Sequence, residues 1–177
     1  RERNDNKHMF ARVAYPFEIG SQTIEVAAAG YTGRYVPTRT EGVTGAKEYL
    51  DVRVLGTFIL YPKPFGLQVE YNAGYGPERV GNTIATRPLD GGYAMLMYQR
   101  ATSIGTFTPY LRVHRYDGGK KFESNAPHHV VRELNLGLEW QLQRWLELTA
   151  EVMASDRTVD GKREEGRLLR LQLQFNY

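Results

Sequence analysis

Hydrophobic and polar residues alternate with a period of two along most of the chain. The clearest case is the last segment, in which apolar and polar residues alternate over 169–177. The same alternation occurs in 133–140, 146–152 and 67–74. Successive side chains of a β-strand point to opposite faces of a sheet, so this period indicates strands with one apolar and one polar face. Helical periodicity is hard to find, and the sequence therefore predicts an all-β protein.

The alternating pattern predicts nine strands, and most are longer than the strands of soluble proteins. They lie near residues 8–15, 22–31, 49–61, 65–75, 92–102, 107–116, 130–141, 145–155 and 166–177. Globular strands usually contain about 5–6 residues, whereas a tilted strand needs about 9–11 to cross a bilayer. The strand length therefore favours a membrane-spanning sheet.

The connections between the predicted strands alternate between two lengths. Short turns are predicted near 16–21, 62–64, 103–106 and 142–144. Long loops rich in glycine, threonine and charge are predicted near 32–48, 76–91, 117–129 and 156–165. Short turns at one rim and long loops at the other are typical of bacterial outer-membrane barrels.

The aromatic residues fall into two groups in this scheme. Those beside the short turns are Tyr15, Phe17, Tyr61, Phe65, Phe107, Trp140, Trp145, Phe175 and Tyr177. Those beside the long loops are Tyr31, Tyr35, Tyr49, Tyr75, Tyr93 and Tyr116. Two such levels predict interfacial girdles, although aromatic residues also favour strands in general.

These patterns predict a transmembrane antiparallel up-and-down β-barrel over residues 1–177. Nine strands is an odd number, whereas single-chain bacterial barrels have even numbers. Two interpretations remain open: earlier strands are missing and the chain is the C-terminal part of a larger barrel, or residues 1–21 form no membrane strand and eight strands close from about residue 22. The strand-like segment 9–15 favours the first. An eight-stranded interior is filled by side chains, whereas about sixteen strands leave an aqueous channel.

Composition excludes several classes of protein. The apolar fraction is 41%, and no stretch approaches the roughly 18 consecutive apolar residues of a membrane helix. The absence of cysteine excludes disulfide scaffolds and thiolate metal sites. A net charge of +3 without a basic block does not suggest nucleic acid. The chain begins Arg1-Glu2-Arg3 with no signal-peptide pattern, as a mature, truncated or trimmed chain would.

Charged residues at the inward positions of the predicted strands are candidates for a pore wall. The main candidates are Arg12, Arg53, Glu70, Arg112, His114, Glu133, Glu139, Glu147, Glu151 and Arg170. Further inward polar residues are Glu25, Asp51, Gln68, Asn72, Asn135, Gln172 and Gln174. They either select ions by sign or form salt-bridged pairs that fill a narrow lumen. Four arginines oppose seven acids, so this wall predicts no strong anion preference.

Other polar residues allow further hypotheses. An outer-membrane hydrolase could use residues near one external rim: His114, Asp117, Ser124, His128 and His129. A metal bound by the two adjacent histidines is disfavoured, because neighbours on a strand point to opposite faces. The segment 156–161 departs from the EF-hand spacing and is predicted to be a loop with an Asp-Gly turn.

Cations in the long loops could contact lipopolysaccharide phosphates. These residues are Arg34, Arg39, Lys47, Arg79, Arg87, Lys120, Lys121, Arg157, Lys162 and Arg163.

The last 50 or so residues resemble the end of the phosphate-selective porin family. The resemblance lies in a strand with Gly137 and Trp140, a short turn, the amphipathic strand 145–151, a charged loop and a final strand that ends on the aromatic Tyr177. It implies a sixteen-stranded, usually trimeric barrel that passes small anions. The terminal aromatic also resembles the signal read by the barrel-insertion machinery. The inward face lacks an excess of Arg or Lys, so phosphate preference is not implied.

The sequence thus predicts an outer-membrane porin for passive diffusion of small, possibly anionic, solutes. We expect contact with outer-membrane lipid and lipopolysaccharide, a homotrimer, no cofactor, no metal and no catalysis. The alternatives are a small closed eight-stranded barrel with a structural or adhesive role, an outer-membrane hydrolase and a soluble barrel that binds a ligand.

Overall fold

A computed structural model describes residues 7–175, and these residues form one sheet of eleven strands without a helix. The strands are β1 (Met9–Ile19), β2 (Gln22–Tyr35), β3 (Thr44–Gly45), β4 (Tyr49–Leu60), β5 (Phe65–Val80), β6 (Thr83–Tyr98), β7 (Arg100–Thr102), β8 (Gly105–Gly119), β9 (His128–Gln143), β10 (Leu146–Val159) and β11 (Lys162–Phe175). Among the described residues no helix has the length and hydrophobicity needed to cross a bilayer.

The nine long strands pair in chain order, and every pair is antiparallel. The spatial order is β1-β2-β4-β5-β6-β8-β9-β10-β11. The two short strands lie beside this path, since β3 pairs in parallel with β6 and β7 pairs antiparallel with the first residues of β8. This is the up-and-down order that the sequence predicts. Within the described residues the sheet is open, with β1 and β11 at its edges.

The strand β1 decides between the two interpretations of strand number. It pairs with β2 over its full length, from Met9 opposite Thr32 to Ile19 opposite Gln22. Residues 9–19 are therefore a full strand of the sheet, as the first interpretation requires, and the described strands do not close into an eight-stranded barrel from about residue 22. The predicted last strand is confirmed as far as Phe175, and the terminal Tyr177 lies outside the described residues.

The ladder register separates an apolar face from a polar face. One aligned row on the first face contains Val26, Phe58, Val69, Ala94, Val113, Leu134 and Ala154. We call this the outer face and the opposite one the inner face. Large apolar side chains on the outer face are exposed, for example Leu136 at 59%, whereas Asp51 and Glu151 on the inner face are buried. This inverted distribution suits a sheet whose outer face contacts lipid.

The external limit of the apolar band runs obliquely across the ladders. On β9 the outward residues are apolar up to Leu134, and the next outward residue is Arg132. The ladders align Arg132 with Gly56 of β4, yet outward residues on β4 remain apolar as far as Leu50. Barrel strands tilt by about 35–45°, so a level membrane boundary crosses a different row on each strand.

Two of the four predicted long loops are wrong. The segments 76–91 and 156–165 are paired hairpins that continue β5–β6 and β10–β11 to tight turns. These turns use Gly81 at φ 61° and the pair Asp160-Gly161 at φ 46° and 83°, so the Asp-Gly turn is confirmed. Charge and glycine favoured loops in the sequence, but outside a bilayer a strand can be polar on both faces. The remaining loops are 36–48, which we call loop A and which contains β3, and 120–127, which we call loop B.

One of the two predicted aromatic girdles has the right position. Near the short turns most of these rings lie on the outer face or in the turns, and Phe107 stacks on Trp140 at 5.2 Å between centroids. Tyr61 is an exception, because its hydroxyl donates a hydrogen bond to Glu25 on the inner face, and Tyr177 lies outside the described residues. Near the loops, only Tyr75 occupies an outward position; the others in that group occupy inward positions (Tyr31, Tyr35, Tyr49, Tyr93 and Tyr116). The second girdle is therefore wrong, because closeness to a loop along the chain does not determine the face of a side chain.

Candidate pore wall and its constriction

The ten predicted wall residues all occupy inward positions of the ladder. One aligned row contains Glu70, Tyr93, His114, Glu133 and Ser155. The remaining candidates follow the same alternation on their strands (Arg12, Arg53, Arg112, Glu139, Glu147, Glu151 and Arg170). That they line a pore stays a prediction, but they do share one surface.

Glu151 is the centre of a charge cluster on the inner face. Its side chain is 4% exposed and lies 3.7 Å from Arg112 and 3.3 Å from Arg170. The Tyr110 hydroxyl donates a hydrogen bond of 2.7 Å to the same carboxylate. A carboxylate shielded from water needs such partners, because an unpaired buried charge is costly. One carboxylate therefore holds both arginines, and the three groups together keep a net charge of +1.

The other cationic wall residues also lie beside acids. Arg12 contacts Glu25 at 2.8 Å across the β1–β2 ladder. His114 Nδ1 lies 3.3 Å from a carboxylate oxygen of Glu133 on the neighbouring strand. Arg53 Nε donates to Asp51 at 2.9 Å. No cation of the predicted wall is left without an acidic neighbour.

Three wall acids lack a cation among residues 7–175. Glu70, Glu139 and Glu147 form no ion pair there, and Glu147 has only a long contact with the Thr149 hydroxyl at 3.5 Å. The unbalanced charge on this part of the wall is therefore negative. Such residues attract cations into a pore and repel anions.

Loops A and B are clasped together across 85 residues of sequence. The Asn125 side chain accepts a hydrogen bond from the Thr40 backbone at 2.9 Å and donates one to the Thr40 hydroxyl at 2.9 Å. The Asn125 backbone donates to the carbonyl of Thr38 at 2.7 Å. Loop A also reaches β6, where β3 pairs with Thr83 and Ile84. The two loops therefore form one unit at the external end of the sheet.

Lys121 anchors this unit to the inner face. Its ammonium group forms an ion pair with Asp51 of β4, whose side chain is fully buried. The same ammonium lies 5.0 Å from the ring centroid of Tyr31, 5.4 Å from Tyr35 and 5.0 Å from Phe122, distances at which cation–π attraction acts. Loop B thus lies against the inner face at the external ends of β2 and β4.

The hypothesis that the loop cations contact lipopolysaccharide phosphates does not suit Lys121, whose ammonium group is held by Asp51 on the inner face. Period-two alternation carries no information in an irregular loop, so the sequence offered no signal for this contact. Tyr31 and Tyr35 were expected at the membrane interface because they lie close to a loop in the chain. Their rings instead lie on the inner face and contact the ammonium group of Lys121. These residues and Asp51 are the functional candidates that sequence reasoning did not bring together.

The hydrolase candidates do not form a catalytic arrangement. Asp117 points to the outer face and contacts His128 at 2.9 Å, whereas His114 lies on the inner face. Ser124 is exposed in loop B, and within residues 7–175 no hydrogen bond joins its hydroxyl to an imidazole. A serine nucleophile needs the imidazole directly beside it.

The adjacent histidines separate as their positions on a strand predict. His128 contacts Asp117, and His129 Nε2 contacts Glu123 of loop B at 3.1 Å. His129 is 1% exposed, and burial lowers the pKa of its imidazole. Within residues 7–175 no group of three or more His, Cys, Asp or Glu side chains could hold a metal ion.

Comparison with known proteins links the chain to one family. The sequence model of the family described as phosphate-selective porin O and P matches residues 2–177. No curated protein and no solved structure matches the chain.

Proposed function

The chain belongs to the phosphate-selective porin O and P family, and from this premise we propose that it forms a water-filled channel for passive diffusion of small solutes across the bacterial outer membrane. Members of a channel family move solutes without making or breaking bonds. The observation that carries the proposal is the opposition of an apolar outer face and a charged inner face over nine long strands.

Closure of the sheet is part of the proposal. In a bilayer every backbone N–H and C=O needs a partner, so a spanning sheet cannot keep an open edge. Along one side, β1 and β11 each have no partner strand among the described residues. We propose that further strands join them into a larger barrel, and that three copies assemble as the sequence resemblance implies. Cross-linking in membranes, followed by mass measurement, tests the trimer.

The solute preference is proposed from the charges of the wall. The family description suggests phosphate, but every wall arginine lies beside an acid, and the carboxylates of Glu70, Glu139 and Glu147 form no ion pair among the described residues. This part of the wall supports passage of small solutes with no preference for anions. A row of phosphate-binding sites along the pore would require unpaired cations on the inner face.

Single-channel recording tests both levels of the proposal. The full-length protein, purified in detergent and shown to be folded, is added to a planar bilayer with a salt gradient. Stable open steps support the channel, and the reversal potential gives the sign of the preferred ion. Folded protein that inserts without conducting would end the channel proposal. Conducting protein with strong anion preference would end only the proposal about the wall.

A further inference from the structure

A groove of about 1000 Å³ crosses the outer face of the sheet from β5 to β11. Two aligned rows of outward residues line it, together with the inward row between them, and we call it the outer groove. The row nearer the short turns belongs to the apolar band. It contains five apolar residues, Val69, Ala94, Val113, Leu134 and Ala154, and Arg167 continues it on β11. Alanine at two of the five positions leaves room for a ligand against the strands. This wall of the groove suits hydrocarbon.

The opposite wall of the outer groove, towards the loops, carries charge. Arg115 contacts Asp90 at 3.2 Å. Arg163 contacts Asp156 at 2.9 Å and Glu165 at 3.0 Å. Each outer-face acid that lines the groove is therefore already paired with an arginine.

Two further arginines in the groove have no ion pair in the part of the chain that the structure describes, although Asp156 lies opposite Arg132 in the ladder and Glu165 is two residues from Arg167. Arg132 and Arg167 both line it and both are exposed, and neither forms an ion pair within residues 7–175. They stand on β9 and β11, on either side of β10, at the external limit of the apolar band. The groove thus joins an apolar wall to two uncompensated guanidinium groups.

We propose that the outer groove binds a phosphorylated lipid of the outer leaflet, with acyl chains along the apolar wall and a phosphate at Arg132 and Arg167. The proposal rests on the outer-membrane placement of the channel. In a lipid of the lipid A type, the phosphates are on the sugar headgroup and the acyl chains extend from it into the membrane. This arrangement matches a charged wall towards the loops and an apolar wall towards the bilayer centre. Arginine binds phosphate with two parallel hydrogen bonds and is weakly hydrated, so it suits a site at the edge of hydrocarbon.

This site differs from contacts made by flexible loops. Its arginines belong to paired strands, so their positions are set by the ladders of β9, β10 and β11. Of the loop cations predicted from the sequence, only Arg163 lines the groove, and two acids occupy it.

The test measures lipid binding by native mass spectrometry of the full-length protein in detergent. The probe is bisphosphorylated lipid A, and the same lipid without phosphates is the comparison. We expect wild-type protein to retain the bisphosphorylated lipid at least about tenfold more tightly than the dephosphorylated one, because charged hydrogen bonds are lost. Equal affinity for the two lipids would overturn the proposal, because it would leave an apolar groove without a phosphate site.

Substitutions locate the site. The double variant R132A/R167A should weaken binding of the bisphosphorylated lipid at least about tenfold. The control R100A/R144A removes the same charge at the opposite rim, beside the short turns, and should bind like wild type. Equal losses in both variants would indicate attraction to net charge and would contradict the proposed site.

Two further measurements separate the remaining outcomes. The chain has no cysteine, so L134C places a single thiol in the groove. Oxidation to a disulfide-linked pair in lipid-containing membranes would show that a second copy covers the groove, and the lipid proposal would be wrong. Channel recording of R132A/R167A should give wild-type conductance, so failure of the lipid site and failure of the channel remain distinguishable.

Discussion

The ammonium group of Lys121, in loop B, forms an ion pair with the carboxylate of Asp51 on the inner face of β4. The aspartate is fully buried and the lysine side chain is 12% exposed, so water screens the pair weakly. Arg53 approaches the same carboxylate from its own strand. The contact therefore holds the loop unit over the external end of the inner face.

Removing this contact should open the external end of the channel. In Lys121→Ala the loop loses its ion pair and its cation–π contacts, while Arg53 still compensates Asp51. We expect a larger single-channel conductance, or frequent steps between conductance levels, together with faster hydrogen exchange over 120–127. Lys120→Ala is the control, because the neighbouring lysine contacts only the ring of Tyr116. Unchanged conductance in Lys121→Ala would mean that loop B does not narrow the pore.

Substitution of Glu151 should change both the free energy of unfolding and the ion selectivity of the channel. Glu151→Gln leaves Arg112 and Arg170 without their shared acid, and breaking a buried pair costs about 3–5 kcal/mol. We expect a loss near the lower end of this range, because the wall faces water, and a reversal potential shifted towards anions. Urea unfolding in detergent and bilayer recording measure the two effects.

Glu147→Gln is the matched control for that substitution. It removes the same charge from β10 but breaks no ion pair. Its reversal potential should shift in the same direction, with a free energy of unfolding close to wild type. A loss of stability equal to that of Glu151→Gln would show that the cluster has no special role.

His129 should make loop B less stable in acid. Burial lowers the pKa of its imidazole below the usual 6.5, so the folded protein favours the neutral ring. The unfolded chain then binds the proton first, and stability falls as the pH drops below about 6.5 towards the lower pKa of the folded state. Unfolding measured from pH 7.5 to pH 5 should show this loss, and His129→Gln should reduce it. His128→Gln, at the half-buried neighbour on the opposite face of β9, is the comparison variant.

Two adjacent residues test which face meets lipid. Leu138 points outward and Glu139 inward on β9. Leu138→Arg should reduce the free energy of folding into vesicles by about 2–4 kcal/mol, as for arginine on the lipid face of a barrel. Glu139→Arg should fold normally and shift the reversal potential towards anions. Equal folding defects in the two variants would contradict the assignment of faces.

The alternation of residue types determined the strands and their two faces. The ten candidate wall residues occupy inward positions in the structure because side-chain direction in a strand depends only on position along that strand. The rings of Phe107 and Trp140 were predictable in the same way. The sheet order also followed, because consecutive antiparallel strands joined by short connections pair with their neighbours.

Only the tertiary structure decided the contacts between segments far apart in the chain. Lys121 and Asp51 are 70 residues apart, and neither the loop conformation nor their proximity has a periodic signature. The pairing of Glu151 with both flanking arginines depends on the register of three strands. The free arginines Arg132 and Arg167 could be recognised only after the acids of the outer groove had been assigned to other partners. Local patterns determine the face to which a side chain points. Its contact partners depend on which strands and loops the folded sheet brings together.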